Sequence, residues 1–188
     1  MIVFVRHGET APNRDGLLLG RSDVELTRRG VAQAAAVGKA LCEPAPSVLV
    51  SSPLQRAVAT ARAIGDACGI DRIDIDDRLI EVAYGEFEGM PFADLPADAV
   101  RQWRADPDFA PPDGESLRAV GERVATFCED YLDDRTVVAV SHVSPIKAGV
   151  TWALGVGDEL AWRMRLDVAS VTRIGTGPVL LSFNEHLA

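Results

Sequence analysis

Three short apolar runs interrupt the polar background of the chain: Ile2–Val5, Val48–Val50 and Val137–Val140. Each is rich in β-branched residues and too short for a helix. None alternates with polar residues, which predicts strands covered on both faces of a mainly parallel sheet. Alanine-rich segments of helical length lie between them. One covers Leu26–Glu43 behind a Thr27 cap, and another covers Pro53–Cys68. The second opens with Ser52-Pro53-Leu54-Gln55. There Ser52 is a good N-cap, Pro53 suits the first helical position and Gln55 completes a capping box. Glu115–Asp134 carries a long amphipathic pattern, and Pro145–Leu154 follows a Ser144 cap. Strand and helix alternate, so the class is α/β with helices on both faces of the sheet. Ser170–Ile174 and Val179–Phe183 flank Gly175-Thr176-Gly177-Pro178 and predict a late hairpin or paired edge strands.

The stretch Tyr84–Gly114 breaks this pattern. It holds Pro91, Pro96, Pro107, Pro111 and Pro112 together with Phe87, Phe92, Trp103 and Phe109. An ordered, irregular insertion with one or two short helices is expected there, lying over the sheet edge. No linker or internal repeat divides the chain, so residues 1–188 are read as one domain. With 47% apolar residues and 25% charged ones, disorder and low complexity are excluded. The net charge of −9, from 19 Lys and Arg against 28 Asp and Glu, argues against sequence-independent nucleic-acid binding and against docking on anionic membranes. A small anionic substrate stays open, provided a few arginines gather in one cleft. Three cysteines, Cys42, Cys68 and Cys128, do not make a disulfide framework and are expected as buried or half-buried helix residues. The run Met1–Val5 is cut short by Arg6, so no secretory leader is expected, and no membrane span is read. The default compartment is the cytoplasm.

The chemistry sits at the ends of the apolar runs. The first runs into Arg6-His7-Gly8-Glu9-Thr10 and the third into Ser141-His142, so two of three histidines follow strands directly. The middle run ends in Ser51-Ser52, and Arg56 falls in the first turn of the next helix. Ligands of open parallel sheets bind outside the carboxyl ends of the strands. Helix N-termini there favour a phosphate. Two histidines and two arginines at one sheet edge offer bidentate donors for phosphate oxygens and an imidazole nucleophile. Metal binding is not read, because no HxxxH, CxxC or HExxH spacing occurs. Phosphate-loop, dinucleotide and nucleophile-elbow motifs are missing as well. His186 is expected at the surface. Trp103 is the insertion residue most worth testing for substrate contact.

VRHGET at Val5–Thr10 resembles the signature of the histidine phosphatase superfamily, the phosphoglycerate mutase-like or RHG family. Further blocks follow in the family's order. They are Gly20-Arg21-Ser22-Asp23-Val24-Glu25-Leu26-Thr27 with Gly30 and Gln33, and Ser51-Ser52-Pro53-Leu54-Gln55-Arg56-Ala57 with Thr60-Ala61. Glu81 with Tyr84-Gly85-Glu86-Phe87-Glu88-Gly89, then Gly114-Glu115-Ser116, then Val140-Ser141-His142 complete them. Where many members carry two glycines after the second histidine, this chain has Val143-Ser144-Pro145-Ile146-Lys147. The resemblance implies a three-layer α/β/α sandwich with a mostly parallel sheet and a helical insertion over the active site. It implies a cofactor-free, metal-independent phosphomonoesterase acting through phosphohistidine. His7 resembles the nucleophile, and Arg6, Arg56 and a protonated His142 the phosphate donors. Asn13 resembles an accessory contact, and Gly8 and Val143 fall among the substrate-binding positions. Glu81 resembles the proton donor to the leaving oxygen, for which burial near the aromatic insertion is expected. Glu9, Glu86 and Glu88 are rival acids, the last two otherwise reading as a solvated loop face.

The implied substrate is a small phosphate ester, such as a sugar phosphate or an α-ribazole phosphate-like ester. Its pocket edge is expected from Arg14, Arg21, Tyr84, Phe87, Phe92, Trp103 and Arg104. A mutase that returns the phosphoryl group to a sugar acid is the alternative, but it needs a water-excluding cover for which this chain has little room. A binding module without catalysis is disfavoured because His7, Arg6, Arg56, Glu81 and His142 are all present. Neither a monomer nor a homodimer is favoured.

Overall fold

The computed structural model describes residues 1–187, with Ala188 outside them. The apolar runs form β1 (Ile2–Arg6), β2 (Val48–Ser51) and, after a two-residue β3 (Asp74–Ile75), β4 (Val137–Ser141). The sheet order is β3-β2-β4-β1-β5-β6, and its first four strands are parallel. β5 (Val171–Gly175) runs antiparallel to β1 and turns into β6 (Val179–Glu185), the expected hairpin.

Two helices, α2 (Arg28–Ala40) and α3 (Gln55–Cys68), cover one face, with α1 (Ala11–Arg14) ahead of them. On that face Val3 and Val5 pack with Val37, Ala57, Ala61 and Ile64. The other face carries α5 (Leu117–Tyr131) and α6 (Val143–Leu154), where Ile2 and Phe4 pack with Val120, Val124, Phe127 and Ile146. Successive β1 residues thus serve opposite cores, which is why the run is continuously apolar. Each such side chain contributes about 1.5–3 kcal/mol of burial.

Two helix starts differ from expectation, and both differences involve the site. Ser52 does not cap α3: its hydroxyl lies 2.7 Å from His142 Nε2. The Gln55 N–H donates instead to Asp23 Oδ1 at 2.8 Å. α6 begins at Val143, ahead of Ser144, because the Glu81 carboxylate accepts from the Val143 and Ser144 N–H groups, both at 3.0 Å. The expected Thr27 cap does form, accepting from Gly30 N, and Ser116 caps α5 by accepting from Ala119 N.

The insertion is ordered, as expected, with turns at Gly85–Phe87 and Phe92–Asp94 and the helix α4 (Ala97–Ala105). Phe87, Leu95 and Trp103 form its own small core, with Trp162 packed against it. It is tied to the 16–22 loop, because Glu88 accepts from Gly20 N and Ser22 N while Leu18 N donates to Met90 O. The insertion therefore stands at the carboxyl ends of the strands. Cysteine usage is corrected too. The C-terminal ends of α2 and α3 meet, and Cys42 is bonded to Cys68 there, with their Cα atoms 4.9 Å apart. Helix packing sets that meeting, and sequence spacing does not report it. Cys128 is free and buried, as expected.

The start of α2 lies hard against the loop after β1. A Cβ on Gly8 would come 2.3 Å from Gly30 O, and one on Gly30 would come 2.1 Å from Glu9 O. Both obstacles are backbone, so neither can swing aside. Gly30→Ala, which in an open helix would stabilise by about 1 kcal/mol, is expected here to destabilise by about 1–3 kcal/mol through overpacking. Thermal or urea unfolding reads the sign directly, and a stabilised variant would contradict this packing.

Candidate active site

The β1 strand ends at Arg6 and delivers His7 between two neighbouring backbones. The His7 N–H donates to Ser141 O at 3.1 Å, and Ala169 N donates to His7 O at 3.1 Å. Parallel pairing in register places Arg6 beside Ser141, so β4 brings His142 alongside. The two imidazoles have centroids 5.0 Å apart and planes inclined by 57°. Both are buried, with His7 2% and His142 0% exposed.

Their hydrogen bonds define their tautomers. His7 Nδ1 lies 2.7 Å from Gly8 O, a carbonyl that can only accept. Nδ1 therefore carries the proton, and Nε2 presents its lone pair. On His142, Nε2 faces the Ser52 hydroxyl, whose oxygen already accepts from Leu54 N at 3.4 Å. A Ser52 hydroxyl that donates to Nε2 places the His142 proton on Nδ1, the nitrogen left without a protein partner.

Two guanidinium groups flank the rings. Arg56 is 0% exposed, and its terminal nitrogens donate to Ser22 O at 2.8 Å and Gly20 O at 2.6 Å. Arg6 Nη1 donates to Leu166 O at 2.6 Å. Among the described residues, Arg6 Nε, Arg56 Nε and His142 Nδ1 are buried donors without a protein partner. Unpaired buried donors are costly, and three nitrogens of this kind suit a multi-oxygen anion. Glu81 is 3% exposed and accepts from Val82 N at 2.9 Å as well as from the start of α6. Burial holds both imidazoles well below the ordinary histidine range. Arg6 and Arg56 add repulsion to each, and His7 adds more on His142. The expectation of a protonated His142 is therefore corrected for the free protein, where burial and the neighbouring charges hold the ring neutral. Burial also lowers Arg6 and Arg56, and the Glu81 charge opposes this.

Other expected residues are placed differently. Asn13 Oδ1 accepts from Thr10 N and Oγ1, so its carbonyl end serves the α1 cap. Gly8 has both backbone groups engaged, with N–H to Thr60 Oγ1 and O to His7, and it supplies clearance. The Val143 N–H is taken by Glu81. Glu88 clamps the 16–22 loop and is no solvated face, whereas Glu86 is exposed and Glu9 binds Thr27. Arg14 pairs with Asp15 at the surface, Arg21 reaches Glu81 O and Glu115, and Arg104 lies over the Phe92 and Trp162 rings. Phe87 and Trp103 are buried in the insertion core. His186 is exposed beside Asp167, as expected. Sequence reasoning missed Ser52, which it spent on a helix cap, as the partner of His142. Among the described residues, no group of three or more His, Cys, Asp or Glu is placed to share a metal ion, and no helix is long and apolar enough to cross a membrane.

Both histidines are buried neutral and must take up protons when exposed, so unfolding binds protons below pH ~6.5. Stability is expected to fall as pH drops from 6.5, by up to about 1.4 kcal/mol per pH unit for each histidine. Urea titrations at pH 6.5 and 5.5 check this, with a flatter slope expected for the His7→Asn, His142→Asn double variant. An equal slope in the two proteins would place the coupling elsewhere.

Known proteins bear on this geometry. A sequence profile of the histidine phosphatase superfamily (branch 1) matches residues 2–184. Phosphoserine phosphatase 1 of Hydrogenobacter thermophilus is 34% identical over 181 residues, covering 92% of this chain and 85% of the relative. Glucosyl-3-phosphoglycerate phosphatase of Mycolicibacterium vanbaalenii is 34% identical over 167 residues, covering 82% and 74%. The crystal structure of Entamoeba histolytica phosphoserine phosphatase with 3-phosphoglyceric acid superposes with a TM-score of 0.91 at 28% identity, over 100% of this chain and 98% of that one. Two arginines and two histidines at the carboxyl edge of a mostly parallel sheet thus stand in a known lineage: the chain belongs to the histidine phosphatase superfamily, branch 1, and is a phosphoric monoester hydrolase.

Proposed function

We propose that this protein hydrolyses small phosphate monoesters without a metal ion, through a phosphohistidine on His7. The observation that carries the reading is the set of three unpartnered buried nitrogens, Arg6 Nε, Arg56 Nε and His142 Nδ1, beside a neutral imidazole with a free Nε2 lone pair. Arg6, Arg56 and His142 bind the phosphoryl oxygens. His7 Nε2 attacks phosphorus, the P–O ester bond breaks, and its electron pair leaves on the alcohol oxygen. Glu81, which enters this step in its protonated form, gives that oxygen its proton. Water then attacks the phosphohistidine while the Glu81 carboxylate takes its proton, releasing inorganic phosphate and restoring His7. The transition state spreads charge over three oxygens, so fixed donors do most of the work. Two steps through a covalent intermediate replace one harder step.

The substrate is a small phosphorylated metabolite, such as a sugar phosphate or an α-ribazole phosphate-like ester. The names of the relatives, with phosphoserine and glucosyl-3-phosphoglycerate as substrates, support a metabolite ester. Hydrolysis is favoured over transfer because the insertion adds only α4 and two short turns, little cover against water.

Glu81 is tested by leaving group. In EDTA, Glu81→Gln is expected to slow hydrolysis of an alkyl ester such as glycerol phosphate by about 10²–10⁴-fold. It should slow p-nitrophenyl phosphate far less, because nitrophenolate leaves without a proton. A structural role for Glu81 alone, holding α6, would lower both rates alike and would remove it as the acid.

A further inference from the structure

Residues 81–84 belong to no helix or strand, so Glu81 stands on irregular backbone. A carboxyl on such a segment is only as well placed as the peptide groups beneath it. The carbonyls of this stretch are held from outside. Ser141 Oγ donates to Leu79 O at 2.7 Å, Arg21 Nε to Glu81 O at 3.3 Å, and Arg123 Nη1 to Arg78 O. The Glu115 N–H donates to Ala83 O at 2.9 Å. Donors from β4, the 16–22 loop, α5 and the residue ahead of its Ser116 cap thus converge on residues 78–83.

Two of those donors share one anchor. The Glu115 carboxylate takes Arg123 in a bidentate pair, with Nε at 3.0 Å and Nη2 at 3.1 Å, and it takes Arg21 Nη2 at 3.1 Å. The Arg123 and Glu115 side chains are only 17% and 16% exposed, so water and salt screen that pair little. Arg21 is 45% exposed, too open for its pair with Glu115 to add much stability. What the second pair fixes is a direction, because it turns Arg21 Nε onto the carbonyl of Glu81 itself. A plain staple between the insertion and α5 would need Arg123 only. The chemistry described above does not use Glu115.

We propose that Glu115 is a positioning residue for the proton transfer: it holds Arg21 and Arg123 so that their donors fix the 78–83 backbone and, through it, aim the Glu81 carboxyl at the leaving oxygen. This rests on Glu81 as the acid and deepens that reading. Glu115 acts through Glu81, so its removal affects the step that needs a proton and spares phosphate binding and the attack by His7.

The test measures hydrolysis of glycerol phosphate and p-nitrophenyl phosphate in EDTA by the full chain and by Glu81→Gln, Glu115→Gln and the double variant. Glu115→Gln keeps the size of the side chain and removes the charge that gathers the two arginines. Its kcat for glycerol phosphate is expected to fall about 10-fold, with KM within about twofold and p-nitrophenyl phosphate within about threefold, as for an acid displaced by a fraction of an ångström. The double variant should be no slower than Glu81→Gln, because an acid already removed cannot be misplaced. Arg21→Met, at the more exposed end of the network, should show the same selectivity more weakly, and it carries the test if Glu115→Gln does not fold. Folded variants that hydrolyse both esters at the wild-type rate overturn the proposal. So does an equal loss on both esters, or a double variant whose loss is the product of the two single losses. A Glu81→Gln variant that slows both esters alike overturns the acid on which the proposal rests, a failure distinct from that of Glu115.

Discussion

Burying four nitrogen-rich side chains around one point, with the Glu81 carboxylate beside them, is the constraint on which the rest of this molecule depends. Arg6, His7, Arg56 and His142 repel one another when charged, and burial penalises each charge further. The protein answers in two ways. It keeps both imidazoles neutral, and it hands the guanidinium terminal nitrogens to the carbonyls of Gly20, Ser22 and Leu166. What remains unpaired is a directed set of donors whose natural complement is a phosphoryl dianion. The same electrostatic tension that weakens the free protein is the source of its affinity for a phosphorylated ligand.

Holding such a cluster requires rigid backbones that approach closely. The parallel register of β1 and β4 sets the two histidines side by side. The contact of Gly8 with Gly30 brings α2 onto the loop after β1, and Thr60 of α3 fixes Gly8 from a third direction. Glu81 joins the layers. Its carboxylate closes the start of α6, while its backbone oxygen receives Arg21. A side chain that caps a helix is held in one orientation, as Glu81 is by three backbone N–H groups. The insertion adds an aromatic wall beside this cluster, and α6 adds Val143, Ser144 and Lys147 to it.

Much of this was legible in the chain. Continuous β-branched runs give buried parallel strands, and a histidine directly after such a run must stand at the carboxyl edge of the sheet. Arg56 in a first helical turn follows from the same logic. Local pattern failed wherever a long-range partner displaced a local one. Ser52 satisfies every rule for an N-cap, yet His142, 90 residues away, takes its hydroxyl and Asp23 supplies the cap. Ser144 likewise yields to Glu81, 63 residues away. Glu88 looks like a surface residue because nothing nearby in sequence shows that it clamps Gly20 and Ser22. Cys42 and Cys68 meet because two helices end together, and β3 is too short to announce itself by pattern. The histidine charge states escaped as well, since burial and neighbouring arginines are properties of the folded chain.

The central claim is that this cluster exists to hold a phosphoryl group on His7 Nε2. Its most direct test is rapid acid-free quenching of the protein during turnover of a ³²P-labelled ester, followed by peptide mapping. The account predicts an alkali-stable, acid-labile phosphate on His7 that disappears in the His7→Ala variant together with turnover. Turnover without any such label, or a label on another side chain, would contradict it.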